Sequence, residues 1–212
     1  MDHIIRYWDT FYAGRRGNPE PTSFARFIER RFPDHTTLVD VGCGDGRDTL
    51  WFASRGWSGI GLDASNATLV ECARRGETFG ERCRFVRSEI GRDSIDAALR
   101  GHAIDLRKTL VYARFLLHAI TDAEEHWFLE DVSSLVARGA RLCVEARTVE
   151  DASLPKVEAP HYRRFIEART LEERCRSLDM EVEFMQCGKG LAPYKSEDPA
   201  VVRMICRGSG NV

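Results

Sequence analysis

The sequence predicts an α/β protein built on a doubly wound, mostly parallel sheet with helices on both faces. Apolar segments of strand length alternate with longer segments of helical period, which is typical of βαβ units. The first of these strands runs directly into a glycine-rich turn at residues 42–46, and a helical segment follows at once. The 212 residues, 43% of them hydrophobic, suffice for one α/β domain with its own core.

The individual elements follow from this alternation. We expect seven strands, at Leu38–Val41, Gly59–Leu62, Arg84–Val86, Thr109–Tyr112, Arg141–Glu145, Glu181–Gln186 and Val201–Cys206. We expect helices at Asp48–Ser54, Ala67–Arg75, Ser94–Leu99, Ala123–Ala137 and about Arg164–Leu178. The fourth helix has the clearest limits, because Thr121 and Asp122 offer capping oxygens at its start and Gly139 follows its end.

The glycine-rich turn indicates a site for a small nucleotide-like ligand. Residues without a Cβ allow the backbone to approach a ligand closely, and three glycines alternate here, at Gly42, Gly44 and Gly46. A dinucleotide fingerprint would need a small residue at the position of Arg47. Asp40, two residues before the first glycine, would repel a pyrophosphate and attract an ammonium group. At the end of the next strand, Asp63 can accept both hydroxyls of a ribose.

Ribose and ammonium together describe S-adenosylmethionine, and on these residues the chain resembles the class I S-adenosylmethionine-dependent methyltransferases over nearly its whole length. The resemblance implies seven strands in the order 3-2-1-4-5-7-6, the last two entering as a hairpin-like pair. It also implies that the D-x-G-x-G-x-G loop holds the methionine part, that Asp63 holds the ribose, and that Glu89 takes the adenine amino group. The cofactor-binding residues implied in this way are Asp40, Gly42, Cys43, Gly44, Gly46, Asp63, Ala64, Glu89 and Ile90.

An aromatic cluster precedes the first strand. Tyr7 with Phe11 and Trp8 with Tyr12 are spaced to share one side of a short helix. In related methyltransferases such a helix closes over the cofactor, so Tyr7 and Tyr12 are candidate cofactor contacts. Packing against the sheet is the alternative, and we assign Trp8 to the core. The expected organisation is a lid or helical segment at residues 1–35, the methyltransferase domain at 36–207 and a frayed tail at 208–212.

Cationic side chains gather where strands four to six are predicted to end, which is the edge where open α/β sheets bind ligands. Clustered guanidinium groups are suited to bidentate recognition of phosphate or carboxylate, so we expect a small anionic substrate. Taken singly, each residue could instead form a surface or interdomain ion pair. The residues expected at this edge are Arg114, His118, Arg147, His161, Arg163 and Arg164.

This region also resembles a subgroup of small bacterial methyltransferases that accompany glycan and natural-product pathways. The matching segments are YxRFxxHAI at residues 112–120, EAR at 145–147 and HYRRF at 161–165. Tyr194 belongs to the same pattern and is a further candidate substrate contact. The N-P-P-Y-type segment of nitrogen-methylating nucleic-acid enzymes is absent after strand four, which disfavours base methylation.

The chemistry expected at this edge depends on the acceptor. A hydroxyl acceptor needs a general base, for which His118 is the candidate, with Glu145 able to adjust its pKa. A carboxylate or phosphate acceptor is already anionic, and His118 would then only donate a hydrogen bond. Tyr112 and Arg114 are the other candidate catalytic residues.

We therefore expect an S-adenosylmethionine-dependent methyltransferase that releases S-adenosylhomocysteine. O-methylation of a small anionic acceptor in glycan or natural-product biosynthesis, such as a nucleoside or sugar phosphate, is the expected reaction. Two alternatives stay open: a protein of a nucleoside or sugar-phosphate pathway that binds S-adenosylmethionine without transferring a methyl group, and a nicotinamide-dependent dehydrogenase.

Composition argues against several other classes. No apolar run approaches the ~20 residues of a membrane span, and no signal-peptide pattern is present, so we expect a cytoplasmic protein. The seven cysteines include no C-x-x-C pair, so neither a disulfide framework nor a metal site is expected. A net charge of −2 gives no general attraction to nucleic acid. The chain could be a monomer or a homodimer.

Overall fold

A computed structural model describes residues 7–10, 20–157 and 162–210. These residues form one seven-stranded sheet in the order β3-β2-β1-β4-β5-β7-β6, which confirms the expected fold class and strand order. β7 runs antiparallel to both of its neighbours, whereas the other pairs are parallel. The strands are β1 Thr37–Val41, β2 Ser58–Asp63, β3 Cys83–Arg87, β4 Thr109–Arg114, β5 Arg141–Arg147, β6 Met180–Gly188 and β7 Val201–Gly208.

Helices cover both faces of the sheet. Among the described residues they are α1 Ser23–Arg31, α2 Arg47–Ser54, α3 Asn66–Gly76, α4 Ile95–Ala98, α5 Asp122–Ala137 and α6 Ala168–Ser177. Short 3-10 turns lie at Glu77–Arg82, Leu106–Lys108 and Val149–Ser153. Residues 7–10 form one further helical turn. None of the described helices is long and apolar enough to cross a membrane.

The two faces bury separate apolar clusters. One cluster lies under α4, α5 and α6 and includes Phe128, Leu129 and Val132, all fully buried. The other lies under α1 and α2 and includes Phe24 and Phe52. Because the central strands are covered on both sides, β1 is buried along its whole length, as parallel sheets of this type require.

Helix α5 begins as the sequence predicts. Thr121 caps it, and Glu124 closes a capping box with the Thr121 backbone. The last predicted helix starts later than expected, at Ala168 and not at Arg164. Residues 164–166 lie outside the helix, because the backbone N–H of Arg164 donates to the carbonyl of His118 and that of Ile166 donates to the carbonyl of Arg147.

Helix α1 was not predicted as a separate element. Its N-cap Thr22 accepts the backbone N–H of Ala25, and it buries only Phe24, Ala25 and Ile28. The Phe24 ring stacks on Tyr112 of β4 at 5.0 Å, so α1 packs on the sheet itself. Of the predicted lid at residues 1–35, only residues 7–10 and 20–35 are described.

Candidate functional site

A cavity of about 260 Å³ lies at the carboxyl ends of β1, β2 and β4. One wall is formed by the glycine-rich turn, the end of β2 and residues 88–90. The opposite wall is formed by the segment after β4, with Arg147, Arg163 and Tyr194. Most of the predicted cofactor residues and most of the predicted acceptor residues therefore meet in one cavity.

The glycine-rich turn requires its glycines. Gly42, Gly44 and Gly46 all have positive φ, at 73°, 54° and 68°. A Cβ at Gly42 would lie 2.8 Å from Leu116 Cδ1, which itself lines the cavity, so the close approach of the two walls depends on its absence. Of the turn's cofactor candidates, Gly42 and Cys43 line the cavity, whereas Gly44 and Gly46 shape the turn behind it.

Asp63 joins the turn to the end of β2. Its Oδ2 accepts the backbone N–H of Gly44 and its Oδ1 that of Ser65, both at 2.9 Å. Burial raises the pKa of Asp63, although these backbone hydrogen bonds oppose the shift. A carboxylate so placed at the cavity wall still has lone pairs for the two hydroxyls of a ribose.

Asp40 is a second carboxylate at the same end of the cavity. It is buried and accepts a hydrogen bond from Thr49 Oγ1 at 2.7 Å. Burial, with the nearby charge of Asp48 as the next cause, raises the pKa of Asp40 to about 8. A buried carboxylate with a raised pKa is suited to bind a cationic group of a ligand, because the neighbouring positive charge stabilises the ionised form of the carboxylate.

The remaining cofactor candidates also line the cavity. Ala64, Glu89 and Ile90 border the side toward β3. The Glu89 carboxylate is buried and lies 3.3 Å from the guanidinium groups of Arg87 and Arg92. An adenine amino group would therefore have to share this carboxylate with the two arginines.

The N-terminal aromatic residues are arranged differently from the expectation. Trp8 is half-buried and lines the cavity, so its assignment to the core is wrong. Tyr7 stacks edge-on against Trp8 at 5.1 Å and is not among the described residues that line the cavity. Ser65 donates a hydrogen bond to Asp9, which ties this turn to the end of β2. Tyr12 lies outside the described residues.

Two of the predicted anion-binding arginines are occupied by acids. Arg147 is buried and binds Asp151 at 2.8 Å and Glu197 at 2.5 Å, so two carboxylates offset its charge. Arg164 binds Asp122 and Glu125 and does not line the cavity. Its predicted contact with substrate is therefore corrected: it anchors the start of α5.

Arg114, Arg163 and Tyr194 do line the cavity, whereas His161 lies outside the described residues. Arg114 Nε donates to Glu145 at 2.9 Å. Glu145 also accepts from Arg203, and it is not a hydrogen-bond partner of His118. Burial, with the charge of Arg147 as the next cause, lowers the pKa of Arg163.

His118 lines the cavity with one ring nitrogen already used. Its Nδ1 accepts the backbone N–H of Arg147 at 3.3 Å. A nitrogen that accepts an N–H carries no proton, so the neutral ring holds its proton on Nε2. This geometry favours hydrogen-bond donation by His118 over the role of general base.

Tyr112 is fully buried, and its hydroxyl donates to Asp48 at 2.7 Å. Asp48 also accepts the backbone N–H and the hydroxyl of Thr22. Burial and the Asp48 charge raise the pKa of Tyr112 well above its usual value. This network joins β4 to α2 and to the residue before α1, and both Tyr112 and Asp48 line the cavity. The predicted catalytic role of Tyr112 stays a prediction.

Sequence reasoning missed several residues of the cavity, of which Phe115 is the most distinctive. Phe115 follows β4 with φ of 58°, a conformation that a bulky residue rarely adopts. Its ring lies against the guanidinium of Arg114 at 4.2 Å and against the ring of His118 at 4.9 Å. Positive φ at a phenylalanine has no signal in a single sequence.

Comparison with known proteins agrees with this geometry. Residues 38–139, just under half of the chain, match the family model described as "Methyltransferase domain". That range contains the glycine-rich turn, Asp63, Glu89 and the segment after β4. A search of curated proteins gives no match.

Three solved structures illustrate the similarity in fold. An S-adenosylmethionine-dependent methyltransferase from Anabaena variabilis superposes with a TM-score of 0.72 at 16% identity, over 98% of this chain and 94% of that one. The 1,6-didemethyltoxoflavin-N1-methyltransferase of Burkholderia thailandensis gives 0.65 at 19% identity, over 88% and 76%. The glycopeptide N-methyltransferase MtfA, complexed with S-adenosylmethionine, gives 0.66 at 16% identity, over 91% and 88%. The chain therefore has the fold of these enzymes.

Proposed function

We propose that this protein, whose fold and cofactor turn are those of an S-adenosylmethionine-dependent methyltransferase, methylates an already ionised oxygen of a small anionic acceptor. The observation that carries the proposal is the shared cavity, which has the glycine-rich turn on one wall and Arg114, His118 and Arg163 on the other. Two solved structures of this fold are named as N-methyltransferases of 1,6-didemethyltoxoflavin and of a glycopeptide, which supports an acceptor from natural-product or glycan chemistry, whereas the choice of an oxygen rests on the cavity alone.

The wall that contains the glycine-rich turn, the end of β2 and residues 88–90 is called the cofactor wall, and its residues fit S-adenosylmethionine. Asp40 would hold the ammonium group, Asp63 the ribose, and Ala64 with Ile90 the adenine ring. S-adenosylmethionine, when bound, supplies a methyl group on a positively charged sulfur. Because the walls approach closely at Gly42 and Leu116, the cofactor and the acceptor would lie against each other.

The opposite wall, which contains Arg114, His118 and Arg163, is called the acceptor wall. Its residues fit an anionic acceptor that needs no deprotonation. His118 carries its proton on Nε2 and would donate a hydrogen bond, while Arg114 would bind the anionic group. Trp8 lines the same cavity. Holding donor and acceptor in near-attack geometry supplies up to ~7–11 kcal/mol of barrier reduction without a base.

The test is incubation with methyl-labelled S-adenosylmethionine and a panel of small carboxylic acids, sugar phosphates and nucleotides, each paired with its neutral amide or ester. We expect label on one or more acids and none on the matched neutral compounds. Label on neutral hydroxyls or amines alone would contradict the proposal. Calorimetric binding of S-adenosylhomocysteine without label transfer to any acceptor would favour the alternative of a cofactor-binding protein that does not methylate.

A further inference from the structure

A row of three charged side chains crosses the sheet beside the cavity. Arg114 of β4 is directly paired with Glu145 of β5, and Glu145 is directly paired with Arg203 of β7. Side chains at paired positions of neighbouring strands project to the same face of a sheet. One carboxylate therefore lies between two guanidinium groups, and the row has a net positive charge.

The hydrogen bonds of this row leave one end of Arg114 available. Glu145, which has no exposed surface, accepts from Arg114 Nε at 2.9 Å and from Arg203 Nε at 2.8 Å. Arg203 also donates from a terminal nitrogen to Ser23 Oγ and to the carbonyl of Leu191. The terminal nitrogens of Arg114 make no hydrogen bond to any residue that the structure describes, and Arg114 lines the cavity.

Phe115 holds the same guanidinium from a second direction. Its ring lies 4.2 Å from Arg114 Cζ, and its backbone N–H donates to the Glu145 carbonyl at 2.7 Å. The positive φ of Phe115 persists only where the surroundings impose it, and this hydrogen bond is one such constraint. The plane of the Arg114 guanidinium is thus set by a carboxylate at its edge and a ring on its face.

Arg147, the neighbouring arginine of the cavity wall, differs from Arg114 in charge balance. Arg147 is bound to two buried carboxylates, those of Glu197 and of Asp151, which also pairs with Lys156, so two acids balance two cations there. Arg114 shares a single carboxylate with Arg203. Of the two, Arg114 has the charge and the donors left for an anion.

We propose that Glu145 is a positioning residue for acceptor binding. It holds Arg114 by Nε, so that the two terminal nitrogens of Arg114 bind a carboxylate or phosphate of the acceptor in bidentate fashion, and Arg203 holds Glu145 in turn. The inference rests on the proposed function, because it assumes that the acceptor is anionic.

The test measures binding of benzoate to the enzyme loaded with S-adenosylhomocysteine, with benzamide as the uncharged probe. We choose a flat carboxylate because Trp8, Phe115 and Tyr194 line the cavity. Arg114→Met should weaken benzoate binding by about 10- to 100-fold and Glu145→Gln by about 10-fold, whereas benzamide and S-adenosylhomocysteine affinities stay unchanged in both.

A matched control removes another carboxylate of the same sheet. Glu183 of β6 pairs with Arg141 at 3.3 Å, away from the cavity, so Glu183→Gln should leave benzoate affinity unchanged. Should Glu145→Gln fail to fold, Glu145→Gln/Arg203→Met removes one charge of each sign and should show the same selective loss. In the Arg114→Met background, Glu145→Gln should cause no further loss, because the residue it positions is gone.

Three outcomes would overturn the inference: unchanged benzoate affinity in Glu145→Gln, equal losses for benzoate and S-adenosylhomocysteine, or additive losses in the double variant. A wild-type enzyme that binds S-adenosylhomocysteine but not benzoate or phenyl phosphate would also overturn it, while methyl transfer could still stand. A wild-type enzyme that binds no S-adenosylhomocysteine would instead contradict the proposed function.

Discussion

The two walls of the cavity consist of different kinds of chemical groups. The cofactor wall consists of backbone in positive-φ conformations and of two short aspartates, Asp40 just before the turn and Asp63 at the end of the next strand. The acceptor wall consists of long charged side chains, held by partners that are distant in sequence, such as Arg147 and Glu197. Changes in the first wall should therefore act on the cofactor through backbone geometry, and changes in the second should act through charge pairing. Four experiments test this contrast.

The largest effect is expected at Gly46. Its φ is 68°, and an added Cβ would lie 2.9 Å from both Cys72 Sγ and Phe85 Cε1. Strain and overpacking together cost about 2–4 kcal/mol, so Gly46→Ala should weaken S-adenosylhomocysteine binding by about 100-fold in calorimetry. Gly80→Ala is the control, because its φ is 59° but no heavy atom lies within 4 Å of the added Cβ. Equal affinity in the two variants would show that the turn does not depend on close packing.

The second effect is on stability, and it tests whether Arg164 supports the fold and takes no part in substrate binding. Arg164 pairs with the buried Glu125, so Arg164→Met should lower the free energy of unfolding in urea by about 2 kcal/mol. Benzoate affinity should not change. Arg169→Met, which removes an exposed pair with Glu173, should cost less than about 0.5 kcal/mol. A stable Arg164→Met variant with weakened benzoate binding would restore Arg164 to the acceptor site.

The third effect is a pH dependence of cofactor binding. The ammonium group needs the ionised form of Asp40, whose pKa is raised to about 8 by burial and by Asp48. Affinity for S-adenosylhomocysteine should therefore rise roughly 25-fold between pH 6.5 and 8.5, and binding at pH 7 should release a proton. Calorimetry in buffers of different ionisation enthalpy measures that proton. Asp40→Asn should remove both the rise and the proton release, and a pH dependence that survives in this variant would point to another group.

The smallest effect is expected at His118. His118→Asn keeps an acceptor near the Arg147 backbone N–H, and no proton transfer is lost if the acceptor is already ionised. We expect kcat to fall less than about tenfold, with the main change in KM for the acceptor. A general base would instead lose about 10²–10⁴ in kcat, together with the acidic limb of the pH profile, and that result would reverse our interpretation of this residue.

The strands and the cofactor wall could be predicted because their signals are local. Every strand was found within two residues of its predicted limits, since apolar runs and their flanking turns lie in the same short windows. Gly42, Gly44 and Gly46 were identified because positive φ leaves few other choices at those positions.

Other features could not be predicted from local signals. Helix α1 is an exception, because its N-cap Thr22 and the spacing of Phe24, Phe27 and Ile28 are local helix signals although the helix was not predicted. Helical spacing placed Trp8 on one side of a turn but could not tell that this side faces the cavity.

The sequence by itself determined the α/β class, the strand limits and the glycine-rich turn, because these depend on the conformational preferences of neighbouring residues. The tertiary structure alone decided which carboxylate each arginine meets. Arg164 meets Glu125, 39 residues earlier in the chain, whereas Arg114 shares one carboxylate with Arg203. Pairing of buried charges depends on which strands and helices become neighbours in space, and no local pattern of residue types records it.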